Sequence, residues 1–130
     1  LPVYALLFEH LCRIVSAQRL LVGTEQLRPS ECDALTLHKA MPRAVVLAES
    51  EAEVCAVLSA CDELGVPVVP RGAGTGLSGG ATPHPDGIVL SLARLDRILA
   101  LDAATCTATL QPGVRNLAIS EAAAALGLCY

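Results

Sequence analysis

Behind the apolar run Val66-Pro67-Val68-Val69-Pro70 comes the segment Arg71-Gly72-Ala73-Gly74-Thr75-Gly76-Leu77-Ser78-Gly79-Gly80, which holds five of the chain's ten glycines. Glycine reaches backbone angles closed to other residues, and its missing side chain lets main-chain N–H groups come close to a ligand. Successive N–H groups in such a turn form a concave nest for an anion, most often phosphate. Ordering five glycines after a buried strand is entropically costly, so a phosphate cradle explains the segment better than a plain surface loop does.

Three familiar patterns overlap these residues, and their surroundings reject each. Gly74-x-Gly76-x-x-Gly79 has dinucleotide-binding spacing, but that turn must open a helix, and Pro83 and Pro85 follow too soon. A nucleoside-triphosphate loop needs Lys and then Ser or Thr after its last glycine, where Gly80 and Ala81 stand. Gly76-Leu77-Ser78-Gly79-Gly80 fits a nucleophile elbow, yet there is no helix behind the serine and no histidine beyond His84.

Around the loop, apolar spacing at Leu7, Leu11, Ile14 and Val15 predicts an amphipathic helix from Tyr4 to about Leu21. Residues 23–43, with Pro29 and Pro42, read as an irregular connector or short hairpin. Ala44-Val45-Val46-Leu47 is a buried strand. Ser50 and Glu53 have capping-box spacing for a helix that ends at Gly65, and Val66 to Val69 is the next strand, with Pro67 at its start. Strand, helix and strand form a βαβ unit, so the two strands are expected parallel with a right-handed crossover. The runs 88–92, 97–101 and 105–110 predict an antiparallel meander, and an Ala-rich helix follows from Val114 to Leu126, stopped by Gly127. The fold class is therefore α+β: a βαβ unit carrying the glycine loop, then a meander and a helix.

Composition narrows the function. Thirteen acidic residues against nine basic give a net charge of −4, and the basic ones form no tract, which excludes a nucleic-acid binder. Aromatic residues are 2%, so platforms for stacking bases are absent. No apolar run reaches membrane-spanning length, and no secretory signal opens the chain. Six cysteines at 12, 32, 55, 61, 106 and 129 match no zinc or iron–sulfur spacing. Four of them lie among aliphatic residues, so the thiols are expected reduced and mostly buried, in a cytoplasmic setting. His10, His38 and His84 form no pair, which leaves no catalytic and no metal-binding set. Glu49, Glu51, Glu53, Asp62 and Glu63 read as the solvated face of one helix, and Asp96 as a loop or strand-edge carboxylate. The chain opens on Leu1 and closes on a run, 127–130, that reads as a strand beginning, so a piece of something longer is expected.

Three blocks together resemble a known family. Val68-Val69-Pro70 with Arg71 to Gly80, then Leu110-Gln111-Pro112-Gly113-Val114-Arg115-Asn116-Leu117-Ala118-Ile119-Ser120, and the earlier Leu27-Arg28-Pro29-Ser30-Glu31-Cys32-Asp33 are similar to the PCMH-type FAD-binding domain of the vanillyl-alcohol oxidase type. Within that type the nearest group is that of glycolate oxidase D subunits and D-lactate dehydrogenases. The resemblance implies FAD, a 2-hydroxy acid substrate in the full-length enzyme, and flavin and iron–sulfur partner subunits that carry electrons onward. Such partners would also supply any association with a membrane.

By position, the resemblance implies that Arg71, Gly72, Ala73, Gly74, Thr75, Gly76, Leu77, Ser78, Gly79 and Gly80 wrap the FAD pyrophosphate. Amides of Gly72, Gly74 and Gly76 would be the main donors, with Thr75 and Ser78 adding hydroxyls. Gln111, Pro112 and Gly113 resemble a second turn near the cofactor. Relatives with a histidyl-flavin bond carry His where Thr75 stands, so FAD is expected to be held non-covalently. Residues 1–42 form an N-terminal helix and connector arm, and residues 43–130 the first part of an FAD-binding domain truncated at its C-terminus. The function this implies is the FAD-binding portion of a flavin-dependent oxidoreductase acting on a glycolate- or D-lactate-type acid. Two alternatives stand beside it: a non-catalytic nucleotide- or phosphate-binding module, and an inert truncated remnant of such an enzyme.

Overall fold

The computed structural model describes residues 2–130. Helix α1 (Pro2–Ile14) leads through a 3-10 turn (Ala17–Arg19) to the short strand β1 (Leu20–Leu21). One-turn helix α2 (Thr24–Leu27) and a second 3-10 turn (Arg28–Ser30) begin the arm, which continues irregularly to β2 (Ala44–Leu47). Then come α3 (Glu51–Glu63), β3 (Val68–Arg71), β4 (Ile88–Ser91), the hairpin β5 (Ile98–Asp102) and β6 (Thr107–Leu110), and α4 (Asn116–Ala124). The fold is α+β, a mixed four-stranded sheet in the order β1-β2-β4-β3 beside a two-stranded antiparallel hairpin.

The strands of the βαβ unit are parallel but not neighbours. Strand β4 lies between them and pairs parallel with both, Val45 opposite Val89 on one side and Val69 opposite Val89 on the other. Of the three runs expected to form a meander, β5 and β6 pair antiparallel and β4 does not join them, so the meander is a correction: its first run belongs to the main sheet. The cause lies in Ile88-Val89-Leu90, an unbroken apolar run buried on every residue, which suits a central parallel strand covered on both faces.

Alternation along the strands divides the core. Val46, Ile88 and Leu90 face Leu7 and Leu11 of α1 and Val57 and Cys61 of α3, while Val45 and Val89 face Leu27, with Leu21 and Met41 closing that side. Side chains of this size, fully withdrawn from water, each contribute about 1.5–3 kcal/mol.

The first helix is shorter than its apolar spacing suggests. It ends at Ile14, and the chain turns extended at Ser16. Beyond that turn, Arg19 makes a bidentate pair with Glu53 at 2.6 and 2.7 Å, and Leu20 and Leu21 add an antiparallel strand to β2. Glu53 is therefore no part of a solvated face. Its carboxylate also accepts the Glu49 amide at 2.8 Å, while Ser50 Oγ caps the Glu53 amide at 3.2 Å. The expected cap is present on the serine side. At the other end of α3, Gly65 takes φ +64° and lets Val66 N–H reach back to the Cys61 carbonyl at 2.8 Å.

The cysteines depart from expectation. All six are free, but only Cys61 is buried, and Cys12, Cys55, Cys106 and Cys129 are exposed. Cys12 follows Leu11 by one helical position and so misses the buried stripe, and Cys55 precedes Val57 by two. Aliphatic neighbours in sequence do not decide the face.

Candidate functional site

Parallel strands send their connecting loops out at the carboxyl edge of the sheet, which is where open α/β sheets take ligands. The glycine loop leaves the end of β3 there, and the 92–97 turn leaves the end of β4 beside it. The Leu92 amide bonds the Arg71 carbonyl at 2.9 Å and joins the two departures. Pro70 is tolerated because β3 is an edge strand of the sheet.

Two anchors, Arg71 and Asp33, tie the loop to the N-terminal arm. The Arg71 guanidinium turns back into the N-terminal arm and donates to the carbonyls of Cys32 at 2.8 Å and Pro29 at 3.2 Å, and to that of Ala81 at 3.3 Å. Asp33, only 4% exposed, accepts the Gly79 amide on Oδ2 at 2.7 Å and the Leu35 amide on Oδ1 at 3.0 Å. The Ala34 amide in turn donates to the Gly76 carbonyl at 3.1 Å. Gly74 and Gly79 take φ of +72° and +79°, so these turns require glycine. Among the described residues, no amide from Gly72 to Ser78 donates a hydrogen bond within the protein. That leaves a row of open donors on an exposed loop, the donor set an oxyanion needs.

A cavity of about 640 Å³ opens at this edge, lined by Ala73 and Thr75 from the glycine loop, Ala93 and Asp96 from the turn after β4, and Pro112 to Asn116 leading into α4. Gly113 belongs to it by necessity: a Cβ there would stand 2.6 Å from the Leu92 carbonyl oxygen and 2.8 Å from that of Ala93. Its amide is committed to the Leu95 carbonyl at 2.8 Å. Gln111 is a brace, its side-chain oxygen accepting from the Arg97 amide at 3.0 Å.

The structure thus brings Ala73, Thr75, Pro112 and Gly113 to one cavity. Gly72, Gly76, Leu77, Ser78 and Gly80 lie exposed along the loop, and the Arg71 guanidinium, the Gly79 amide and the Gln111 side chain are engaged within the protein. Sequence reasoning gave no role to Asp33, Arg115 or Asn116. The two at the entrance of α4 stand inside a block already singled out, so an arginine just ahead of a helix and next to a proline–glycine turn was the available signal. Asp33 also closes a block already singled out, Leu27 to Asp33, and its own further signal was an Asp two residues ahead of Leu35, the spacing of a local side-chain turn.

A mixed sheet whose edge strand runs into an open glycine loop, with a hairpin and helix closing one side, is the architecture of a PCMH-type flavin-binding domain. It superposes on p-cresol methylhydroxylase, solved with substrate bound, at a TM-score of 0.84 and 22% identity, over 98% of this chain and 25% of that one. A 4-ethylphenol oxidase from Gulosibacter chungangensis gives the same TM-score at 20% identity, over 97% of this chain and 25% of the other. The chain belongs to the FAD binding domain family, whose model matches residues 42–130. Among curated proteins it is 49% identical to glycolate oxidase subunit GlcD of Escherichia coli strain K12 over 106 residues, 82% of this chain and 21% of that protein. It is 36% identical to D-lactate dehydrogenase of Anaerostipes hadrus over 117 residues, 89% of this chain and 25% of that one. The chain spans about a fifth to a quarter of the length of these relatives.

Proposed function

We propose that this chain supplies the pyrophosphate-binding part of an FAD-dependent oxidoreductase that oxidises a 2-hydroxy acid of the glycolate or D-lactate kind. The observation that carries the reading is the cavity at the carboxyl edge of the parallel strands, where Ala73 and Thr75 meet Pro112 and Gly113 beside a row of unengaged amides. The residues fit the group. Amides of Gly72, Gly74 and Gly76 would donate to the pyrophosphate oxygens, Thr75 and Ser78 would add hydroxyls, and Arg115 adds a cation to the lining of the same cavity. Thr75 offers no ring nitrogen, so this loop makes no histidyl link to the flavin.

When bound, FAD supplies the hydride acceptor for oxidation of the substrate α-carbon. Residues 43–130 bind and orient it, and Pro29, Cys32, Asp33 and Ala34 of the arm brace the loop. The base that removes the hydroxyl proton is supplied by another part of the enzyme, and electrons pass to partner subunits. The names of the relatives favour the 2-hydroxy acid class.

The test is equilibrium binding of FAD to the chain, read by quenching of flavin fluorescence, together with an assay on glycolate and D-lactate with an artificial electron acceptor. Saturable FAD binding without turnover above that of free flavin is the expected result. A chain that folds and binds neither FAD nor ADP overturns the reading.

A further inference from the structure

The family match begins at residue 42, yet the glycine loop is held by residues that precede it. The Ala34 amide fixes the Gly76 carbonyl toward the arm, and in a trans peptide the N–H lies opposite the C=O. The Leu77 amide, in that same peptide plane, is therefore turned away from the arm. Asp33 fixes a second plane by taking the Gly79 amide at 2.7 Å. A loop this rich in glycine has many conformations open to it, and these two bonds select one. The carboxylate is 4% exposed and its two oxygens have separate tasks, Oδ1 closing its own turn onto Leu35 and Oδ2 holding Gly79.

We propose that Asp33 is a positioning residue for the diphosphate of the bound dinucleotide: by clasping Gly79 from outside the matched domain, it presets the loop so that its open amides converge on that group. This rests on the FAD reading. A negative side chain does not attract a diphosphate, so its contribution is geometric, through Gly79. The clasp then favours ligands that carry the diphosphate, FAD and ADP, and is indifferent to riboflavin, which lacks it.

The test uses Asp33→Asn in the full chain. An asparagine has one acceptor oxygen where aspartate has two, so it serves Leu35 or Gly79 but not both, and sets an NH2 group against an N–H at the other. Losing one charge-assisted bond predicts FAD and ADP binding weakened by about ten- to a hundredfold. Riboflavin binding should stay near the parent value, while the thermal midpoint falls modestly because the unliganded fold also loses this bond. Because binding and clasp are linked, FAD should slow hydrogen exchange at the Gly79 amide of the unmodified chain while riboflavin leaves it unchanged. This second measurement decides the matter even if the variant does not fold. Parent-like FAD affinity in Asp33→Asn, equal losses for FAD and riboflavin, or Gly79 exchange indifferent to FAD each overturns the proposal and leaves the FAD reading standing. An unmodified chain that folds and binds neither FAD nor ADP overturns that reading, and the proposal with it.

Discussion

The Arg71 guanidinium occupies the space where a side chain at Gly74 would begin: a Cβ on Gly74 would stand 2.1 Å from Arg71 Nη2 and 2.3 Å from Cζ. The loop folds over its own first residue, and the cation lies directly behind the backbone offered to the ligand. Gly74 is fixed twice, by this contact and by φ of +72°. Gly76 is different, since a Cβ there meets nothing within 4 Å.

The two glycines should therefore fail in different ways. Gly74→Ala should displace Arg71 from its three carbonyls and strain the turn, costing about 1–3 kcal/mol of stability and abolishing FAD retention. Gly76→Val should leave the thermal midpoint unchanged, because its side chain projects into open space, and still lose FAD if the Gly76 amide holds the diphosphate. Thr75→Ala should keep both. Thermal unfolding with and without FAD separates the three, and a stable, flavin-binding Gly74→Ala would contradict the packing described.

Arg71→Lys tests the brace itself. Lysine keeps the charge but lacks the fork that reaches Cys32, Pro29 and Ala81 together. Stability should fall by about 1–3 kcal/mol, the scale of a lost charged hydrogen bond. Hydrogen exchange should quicken in residues 28–35 as well as in the loop. Exchange confined to the loop would mean that the arm is held by something else.

What the sequence disclosed follows the range of each force. Local signals were legible: Ser50 caps α3, Gly65 and Gly127 end their helices with positive φ, and the glycine loop leaves a strand as expected. The bonds between arm and loop were not, since Asp33 and Gly79 are 46 residues apart and nothing in either neighbourhood points to the other. The same holds for Arg19, whose pairing with Glu53 crosses 34 residues and ends the amphipathic spacing of α1 early. The place of β4 was half visible. An all-apolar run of three residues announces a central strand, but its partners are a matter of topology.

Thiol accessibility offers a check on the packing. Cys12, Cys55, Cys106 and Cys129 are exposed and should react promptly with a water-soluble disulfide reagent, Cys32 more slowly. Cys61 should stay silent until the chain unfolds. It lies in the core between α3 and the sheet, and burial pushes its thiol up to about 11, so little thiolate forms at neutral pH. Rapid labelling of Cys61 under native conditions would show that the α1–α3 layer does not close over the sheet.

Acid should weaken the fold through Glu53. Its hydrogen bonds from Arg19 hold the carboxyl below the usual range, against a desolvation effect that acts the other way, and the Glu49 amide adds to the lowering. Asp86 is held low in the same sense by its bond from Arg43. A carboxylate whose folded pKa lies below its unfolded value stabilises the fold fully above the unfolded value, about 4.3 for glutamate, and that contribution disappears as pH falls through the folded value. The urea midpoint should therefore be flat near neutrality and decline as pH drops below about 4.5. Glu53→Gln should lower the midpoint near neutral pH, because Arg19, with its side chain 15% exposed, loses a charged partner. It should also flatten the acid decline, leaving the smaller slope due to Asp86 and the remaining carboxylates. A variant that keeps the parent's acid slope would assign the pH dependence to other groups and reduce the Arg19–Glu53 pair to a surface contact.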